Sequence, residues 1–159
     1  MEIRTYQDLE KVLKMAAKEA LEDTGEETTK LVKDRIDKDV YDVEPNPTEY
    51  IRTYELRESV EPSKIKDNGE NLELEVGHNT DLIISNPDLN QHASAIDGKS
   101  SVDSIAEIVN DGKSGLIFGR GYWTKKRSYM DNAQQEMENS KYKEMMKKNL
   151  EKQGFKVEW

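Results

Sequence analysis

Helical spacing over residues 5–38 is the feature that most limits how this chain can fold. Apolar side chains recur at helical spacing over residues 6–20 and again over residues 31–36, with lysine and glutamate among the other positions, which predicts one long amphipathic helix. Gly25 lies inside it, and Thr24 with Glu27 has the form of a capping box, so a break near Gly25 is the alternative to a continuous helix. Residues 44–47 (Glu-Pro-Asn-Pro) end the helical character, because proline disfavours α geometry in the preceding residue.

The middle of the chain has the pattern of strands. Residues 71–77 alternate apolar and charged side chains, as in a sheet with one solvated face. The tight-turn sequence Asp67-Asn68-Gly69 precedes them, so we expect residues 60–65 to pair with them as a hairpin. The apolar run Leu82-Ile83-Ile84 predicts a further short strand.

The final third returns to helical spacing. Residues 102–109 predict a short helix that stops at Asp111-Gly112, and residues 125–153 predict a long helix with Gly154 as its stop. Helical and alternating patterns are segregated along the chain. We therefore predict one α+β domain over residues 1–159, with a long N-terminal helix and a C-terminal helix packed on a small, mainly antiparallel β-sheet.

Composition limits the class of protein. The 159 residues include 36 % charged and 34 % hydrophobic side chains, so the core is small for the length and suggests stabilisation by a partner. The chain has no cysteine, which excludes disulfides, thiol nucleophiles and thiolate zinc sites. No apolar run is long enough for a membrane-spanning helix, so no membrane partner is expected.

Charge is unevenly distributed. Residues 1–112 carry 13 Lys+Arg and 27 Asp+Glu, a balance of −14, whereas residues 113–159 carry 11 and 6, a balance of +5. The overall charge of −9 argues against general binding to duplex DNA. A basic and aromatic segment over residues 120–127 leaves two alternatives, a contact with an acidic neighbouring subunit or a local nucleic-acid patch; its candidate residues are Arg120, Tyr122, Trp123, Lys125, Lys126 and Arg127.

A long polar stretch over residues 86–101 predicts an interaction segment. Compact folds seldom keep a loop of this length without using it. The stretch has no catalytic constellation and is rich in hydrogen-bonding side chains, so we expect an arm between subunits or rings rather than an active-site lid. Its candidate interface residues are Asn86, Asp88, Asn90 and His92.

Signals for catalysis are weak. His78 and His92 lie near Asp81, Asp97 and Asp103 in sequence. These residue types could form the site of a metal-dependent hydrolase, but their spacing matches no metal-binding motif. Gly-Lys-Ser occurs twice without the upstream glycine that a phosphate-binding loop needs. We expect no enzyme activity, no cofactor and no resident metal.

Three spaced motifs carry a resemblance to a known family. They are Tyr50-x-Arg52-Thr53-x-x-Leu56-x-x-Ser59, then Ile105-x-x-Ile108-x-x-x-Gly112, and finally Arg127-x-Tyr129-Met130 at the opening of the last helix. Their order resembles that of the head–tail joining and tail-completion proteins of long-tailed phages of Gram-positive hosts.

The resemblance implies a non-enzymatic ring subunit at the phage neck or tail end. The expected partners are further copies of the same chain, commonly in a hexamer, and other neck, connector or tail proteins. DNA would pass through the channel without specific binding, and the protein would belong to the virion after assembly in the bacterial cytoplasm. Glu73 and Glu75 share one strand face and are candidates for the channel lining, because carboxylates there would repel the duplex. The alternative is a small regulatory or nucleic-acid-binding protein that uses residues 120–127.

Overall fold

The computed structural model describes residues 4–43, 54–83, 106, 107, 109–112 and 125–158, and the fold account covers these residues. Two long helical regions enclose a hairpin, which confirms the α+β prediction. In chain order the elements are α1 (Tyr6–Ile36), a π-helical turn (Asp37–Tyr41), α2 (Glu55–Glu58), β1 (Val60–Pro62), β2 (Lys66–Asp67), β3 (Leu72–Glu73), β4 (Val76–His78), a 3-10 turn (Thr80–Leu82), helical residues 106, 107 and 109–111, α3 (Tyr129–Glu136), a π-helical turn (Met137–Lys141) and α4 (Tyr142–Lys152).

Helix α1 is continuous and is capped at its first turn. Thr5 Oγ1 accepts a hydrogen bond from Asp8 N at 3.1 Å, and Asp8 Oδ2 accepts one from Thr5 N at 3.0 Å, so each side chain satisfies a free backbone donor. The alternative break near Gly25 does not occur. Thr24 is an interior residue whose hydroxyl donates to Ala20 O at 2.7 Å.

Gly25 allows the hairpin to lie directly against α1. A Cβ atom at this position would lie 2.7 Å from Leu74 Cδ2 and 3.4 Å from Pro62 Cβ. The absence of a side chain therefore lets both arms of the hairpin approach the helix backbone closely.

The predicted hairpin is present and antiparallel. Strand β1 pairs with β4, with Val60 opposite His78, and β2 pairs with β3, with Lys66 opposite Glu73. Gly69 adopts a positive φ of 89° in the connecting turn, which the sequence Asp67-Asn68-Gly69 anticipated. Between the two paired segments, Ser63 N donates to Glu75 O at 2.7 Å and keeps the hairpin together.

Two sequence predictions are wrong. The expected strand over Leu82–Ile84 is replaced at its described residues by a 3-10 turn over Thr80–Leu82, followed by buried Ile83. Asn79 explains the difference, because its Oδ1 accepts from Asp81 N at 3.1 Å and caps a turn at the position where a strand would begin.

The expected helix over residues 125–153 begins only at Tyr129 and is interrupted at Met137–Lys141. Within this π-helical turn Asn139 and Ser140 leave helical geometry, and Ser140 has φ 114°. The predicted stop at Gly154 is confirmed. Gly154 has φ 87°, its N donates to Glu151 O at 3.0 Å, and Phe155 N donates to Leu150 O at 3.2 Å, which together form a Schellman motif.

The core lies where the C-terminal half of α1 meets the hairpin and α3. Tyr129 and Ile36 are both fully buried there, and Val60 contributes from the hairpin. Helix α4 packs further along α1, where the buried Asn149 donates to Thr24 Oγ1 at 3.1 Å. Among the described residues, the cluster of buried side chains here comprises Val32, Ile36, Leu56, Val60, Val109, Tyr129 and Ala133.

Candidate functional site

The basic segment is described at its C-terminal end only. Lys125 and Lys126 are exposed and Arg127 is half-buried. Lys126 Nζ lies 2.8 Å from Asp131 Oδ2, and this hydrogen-bonded pair raises the pKa of Lys126 and lowers that of Asp131. One cation of the segment is thus already matched by a carboxylate on α3.

The other predicted interface residues fall outside the described residues. These are Asn86, Asp88, Asn90, His92, Arg120, Tyr122 and Trp123. Their assignment to a subunit interface stays a prediction.

Asn110 fixes the position of the segment that leads into α3. Its backbone oxygen accepts from Arg127 N at 3.1 Å and from Ser128 N at 2.9 Å, and its Oδ1 accepts from Met130 N at 3.0 Å. Ser128, at the N-cap position, has φ 39° and makes no capping bond with its own side chain. A side chain from another segment therefore caps α3, and this could not be read from the sequence around residue 128.

The predicted channel-lining residues are exposed on the hairpin. Glu73 and Glu75 point to the solvated side, while the intervening Leu74 reaches Gly25 on α1, as period-two geometry requires. Lys66 Nζ lies 3.1 Å from Glu75 Oε1, so a cation already pairs with one of the two carboxylates. Its role at a DNA channel stays a prediction.

A buried polar chain runs through His78. Ser59 Oγ lies 2.7 Å from His78 Nδ1, and His78 Nε2 lies 2.8 Å from Tyr129 Oη. Ser59 also donates to Leu56 O at 2.9 Å, and Tyr129 to Ala106 O at 3.2 Å. The chain ties α2, β4, α3 and the helical residues near 106 together.

Burial controls the charge of this polar chain. It lowers the pKa of His78, an effect that a hydrogen bond to Leu56 O partly offsets, and it raises the pKa of Tyr129. Ser59 is fully buried and already donates to a backbone carbonyl, so the Ser–His pair serves to join structural elements. Within the described part of the chain, no three His, Asp or Glu side chains are grouped to hold a metal ion.

The first ten residues of α1 carry an exposed apolar surface. Four of the eight large apolar side chains that are exposed among the described residues lie there, and Tyr6 is 82 % exposed. Tyr6, Leu9 and Leu13 continue, at alternating three- and four-residue spacing, into Ala16 and Ala20, which are buried. We call Tyr6, Leu9 and Leu13 the outer stripe.

The exposure of the outer stripe is the feature that sequence reasoning missed. The heptad-like spacing was visible, but the pattern gives the face of the helix without showing what covers it. Among the described helices, none is both long and apolar enough to cross a bilayer. The helix that carries the outer stripe has charged side chains on its other sides.

Comparison with known proteins gives one result. The family model YomN matches residues 5–152, nearly the whole chain, so the chain belongs to the YomN family. The name is that of a phage-derived, Bacillus-type prophage protein, and the protein is accordingly phage-associated. Neither the curated proteins nor the solved structures gave a match.

Proposed function

We propose that this protein is a structural subunit of a phage neck or tail-end ring, in the head–tail joining or tail-completion class. Copies of the chain would form a homo-oligomeric ring, expected to be a hexamer, around the DNA channel of the virion. Assembly would take place in the bacterial cytoplasm, where other neck, connector or tail proteins would join it.

The outer stripe is the observation that carries the proposal. Leu13 is 47 % exposed although the same helix face is fully covered at Ala20. Neighbouring large apolar groups on one exposed helix face are typical of a protein interface. A second copy of the chain is the occupant that a self-assembling ring requires.

Charge distribution supports a head-to-tail arrangement of the copies. Residues 1–112 carry a balance of −14 and residues 113–159 one of +5. An interface in which one end of a subunit meets the other end of its neighbour brings opposite charges together. A repeated head-to-tail contact forms a ring when the rotation from copy to copy closes on itself, as the proposal requires.

Membership of a phage-associated family and the order of the three sequence motifs support the same proposal. Glu73 and Glu75 are exposed, as a channel-lining role requires. Carboxylates on that face would weaken attraction between the ring and the duplex, because each cation placed on phosphate would instead add affinity.

Paired variants test the role of the stripe. Leu9→Ser with Leu13→Ser removes the apolar surface, and Gln7→Ser with Lys11→Ser is the matched control on exposed positions of the same helix. We expect light scattering after size exclusion, with negative-stain imaging, to show rings for wild type and control and smaller species for the stripe variant. If both variants assemble alike, the stripe is not the interface.

The same measurement distinguishes a ring subunit from the alternative, a small regulatory or nucleic-acid-binding protein. The alternative is supported if the protein stays monomeric or dimeric at all concentrations and binds short DNA through residues 120–127. Binding that persists after all four cations of the segment (Arg120, Lys125, Lys126 and Arg127) are replaced by serine would exclude that segment as the site.

A further inference from the structure

A cavity of about 310 Å³ lies between α1, the hairpin and the C-terminal helical region. Its walls are mainly apolar and include Leu21, Val32, Leu74, Met130 and Met137. Water finds few hydrogen-bond partners in such surroundings, so the cavity favours an apolar occupant. Since an apolar cavity of roughly 150 Å³ takes one benzene molecule, this one has room for about two large apolar side chains.

The cavity opens to solvent beside the C-terminal helices. Gln134 of α3 and Tyr142 of α4 both line it and are both exposed, Tyr142 to 46 %. Half-buried Thr28 of α1 also lines it, and its hydroxyl donates to Thr24 O at 2.8 Å, which leaves the oxygen able to accept. Apolar walls with a few polar groups suit a side chain that is apolar along its length and polar at its tip.

The outer stripe carries side chains of this kind. Tyr6 is 82 % exposed and combines an apolar ring with a hydroxyl at its far end. Leu9 follows three residues later on the same face of α1 and is also exposed. The chain therefore presents both an open apolar cavity and exposed side chains of a size to enter it.

A subunit cannot place its own stripe in its own cavity. Helix α1 is continuous, so the sixteen residues from Leu9 to Gly25, which lines the cavity, rise about 24 Å along the axis. Leu13 and Gly25, twelve residues apart, also point in directions about 120° apart around that axis. The stripe that enters a cavity must come from another molecule.

Charges beside the two surfaces are opposite in sign. Glu10 is exposed and lies one helical turn from Tyr6, at the edge of the stripe. Lys143 is exposed and directly follows Tyr142 at the opening of the cavity. A stripe seated at the cavity of a second copy would bring a carboxylate toward an ammonium group, which favours this occupant over one without an acidic neighbour.

We propose that the outer stripe of one copy inserts Tyr6 and Leu9 into the cavity of the next copy. The inference rests on the proposed ring of identical copies and identifies the two surfaces that meet in it. Because stripe and cavity are different surfaces, a pair of copies always leaves one stripe and one cavity open. Further copies can therefore add until the ring closes, whereas a stripe that met a second stripe would stop at a dimer.

Blocking the cavity tests the contact. Gln134→Trp places a large side chain at the opening, and Gln135→Trp is the matched control on the neighbouring exposed position outside the cavity lining. Light scattering over a concentration series should show association weakened about 10- to 100-fold in the Gln134 variant, the loss expected when one large apolar side chain is no longer buried. The Gln135 variant should associate like the wild type.

Mixing two defective variants tests whether the surfaces are complementary. Leu9→Ser with Leu13→Ser keeps the cavity and loses the stripe, whereas Gln134→Trp keeps the stripe and loses the cavity. Each alone should remain at the mass of one subunit. Their equimolar mixture should give a species of twice that mass and nothing larger, because only one stripe and one cavity remain functional in the pair.

Equal assembly of the Gln134 and Gln135 variants, or a mixture without the paired species, would overturn the cavity contact. If wild-type rings are seen alongside either result, the ring proposal itself stands. A paired species from the mixture together with open filaments from the wild type would keep the contact and overturn the ring. A wild type that stays monomeric at all concentrations would overturn both.

Discussion

The two halves of α1 share one amphipathic pattern and differ in what covers it. In the C-terminal half Leu31, Val32 and Ile36 are all buried. In the first ten residues Tyr6, Leu9 and Leu13 are exposed, although Leu13 lies on the same side of the helix as Leu31 five turns later. The comparison teaches that periodicity fixes the apolar face of a helix, whereas burial depends on which other elements reach it.

Ion pairs follow the same division. The C-terminal half is tied to α2 by Lys33 with Glu58 and to α3 by Arg35 with Glu136. The N-terminal half is tied to the hairpin turn, where Lys14 and Lys18 each lie 2.8 Å from Asp67 and hold the pKa of that carboxyl well below its ordinary range. These lysines lie on a different side of the helix from Leu9 and Leu13, so the pairs leave the outer stripe uncovered.

The largest expected effect contrasts a core position with a stripe position. Ile36→Ala should lower the free energy of unfolding by about 2–5 kcal/mol, because it leaves a cavity at a fully buried site. Leu13→Ala should cost the isolated subunit about 1 kcal/mol or less. Urea denaturation at a concentration where the protein is monomeric measures both. If both variants lost the same free energy of unfolding, the N-terminal and C-terminal halves of α1 would not differ in how they are covered.

A smaller effect is expected at Gly25, where the hairpin meets the middle of α1. Gly25→Ala adds a Cβ that crowds the Leu74 side chain and should destabilise by about 1 kcal/mol after allowance for the better helix propensity of alanine. The same change in a Leu74→Ala background should instead stabilise by about 1 kcal/mol. A double-mutant cycle of unfolding free energies from urea denaturation gives the coupling between residues 25 and 74. If Gly25→Ala changes the free energy of unfolding in the same direction in both backgrounds, the contact with Leu74 is not the reason for glycine at this position.

Acid should weaken the covered half through His78. Burial lowers the pKa of His78 in the folded protein, so below the ordinary histidine value of about 6.5 the unfolded chain binds more protons than the folded one. Stability is therefore fully present above that value and falls as the pH falls through it. The urea midpoint should decrease between pH 7.5 and 5, and less so in His78→Gln. A decrease of the same size in both proteins would show that other groups are responsible.

Much of the fold could be predicted because its signals are local. The long helix follows from repeated spacing over residues 5–38, and the hairpin follows from alternation around Asp67-Asn68-Gly69. The interruption at Met137–Lys141 could not be predicted. Its residues include neither glycine nor proline, and the change of direction there depends on how α3 and α4 each pack on α1.

The candidate site was less predictable for the same reason. His78 was noted as a weak metal or catalytic candidate, yet its neighbours Ser59 and Tyr129 lie 19 and 51 residues away in sequence. The exposure of Glu73 and Glu75 followed from strand alternation. Capping of α3 by Asn110 depends on a tertiary contact and has no local signal.

The smallest expected effect on stability concerns the hairpin face opposite α1. Glu73→Lys with Glu75→Lys should change the free energy of unfolding by less than about 0.5 kcal/mol, since both side chains are exposed. In an intact particle the proposed channel role predicts slower DNA ejection, relieved by added salt, because the new cations bind phosphate. The control is Glu22→Lys with Glu26→Lys, at exposed positions of α1 outside the outer stripe. Normal ejection by the hairpin variant at low salt would show that its face does not meet the DNA.

Hydrogen exchange on α1 tests the central claim that the outer stripe is covered in the assembly. Amide exchange followed by mass spectrometry would compare the dilute subunit with the assembled protein, peptide by peptide along the helix. We predict a clear gain in protection over residues 6–15 on assembly and little change over residues 28–36, which are already covered within the subunit. Assembly without added protection over residues 6–15, or no assembly at any concentration, would contradict the account.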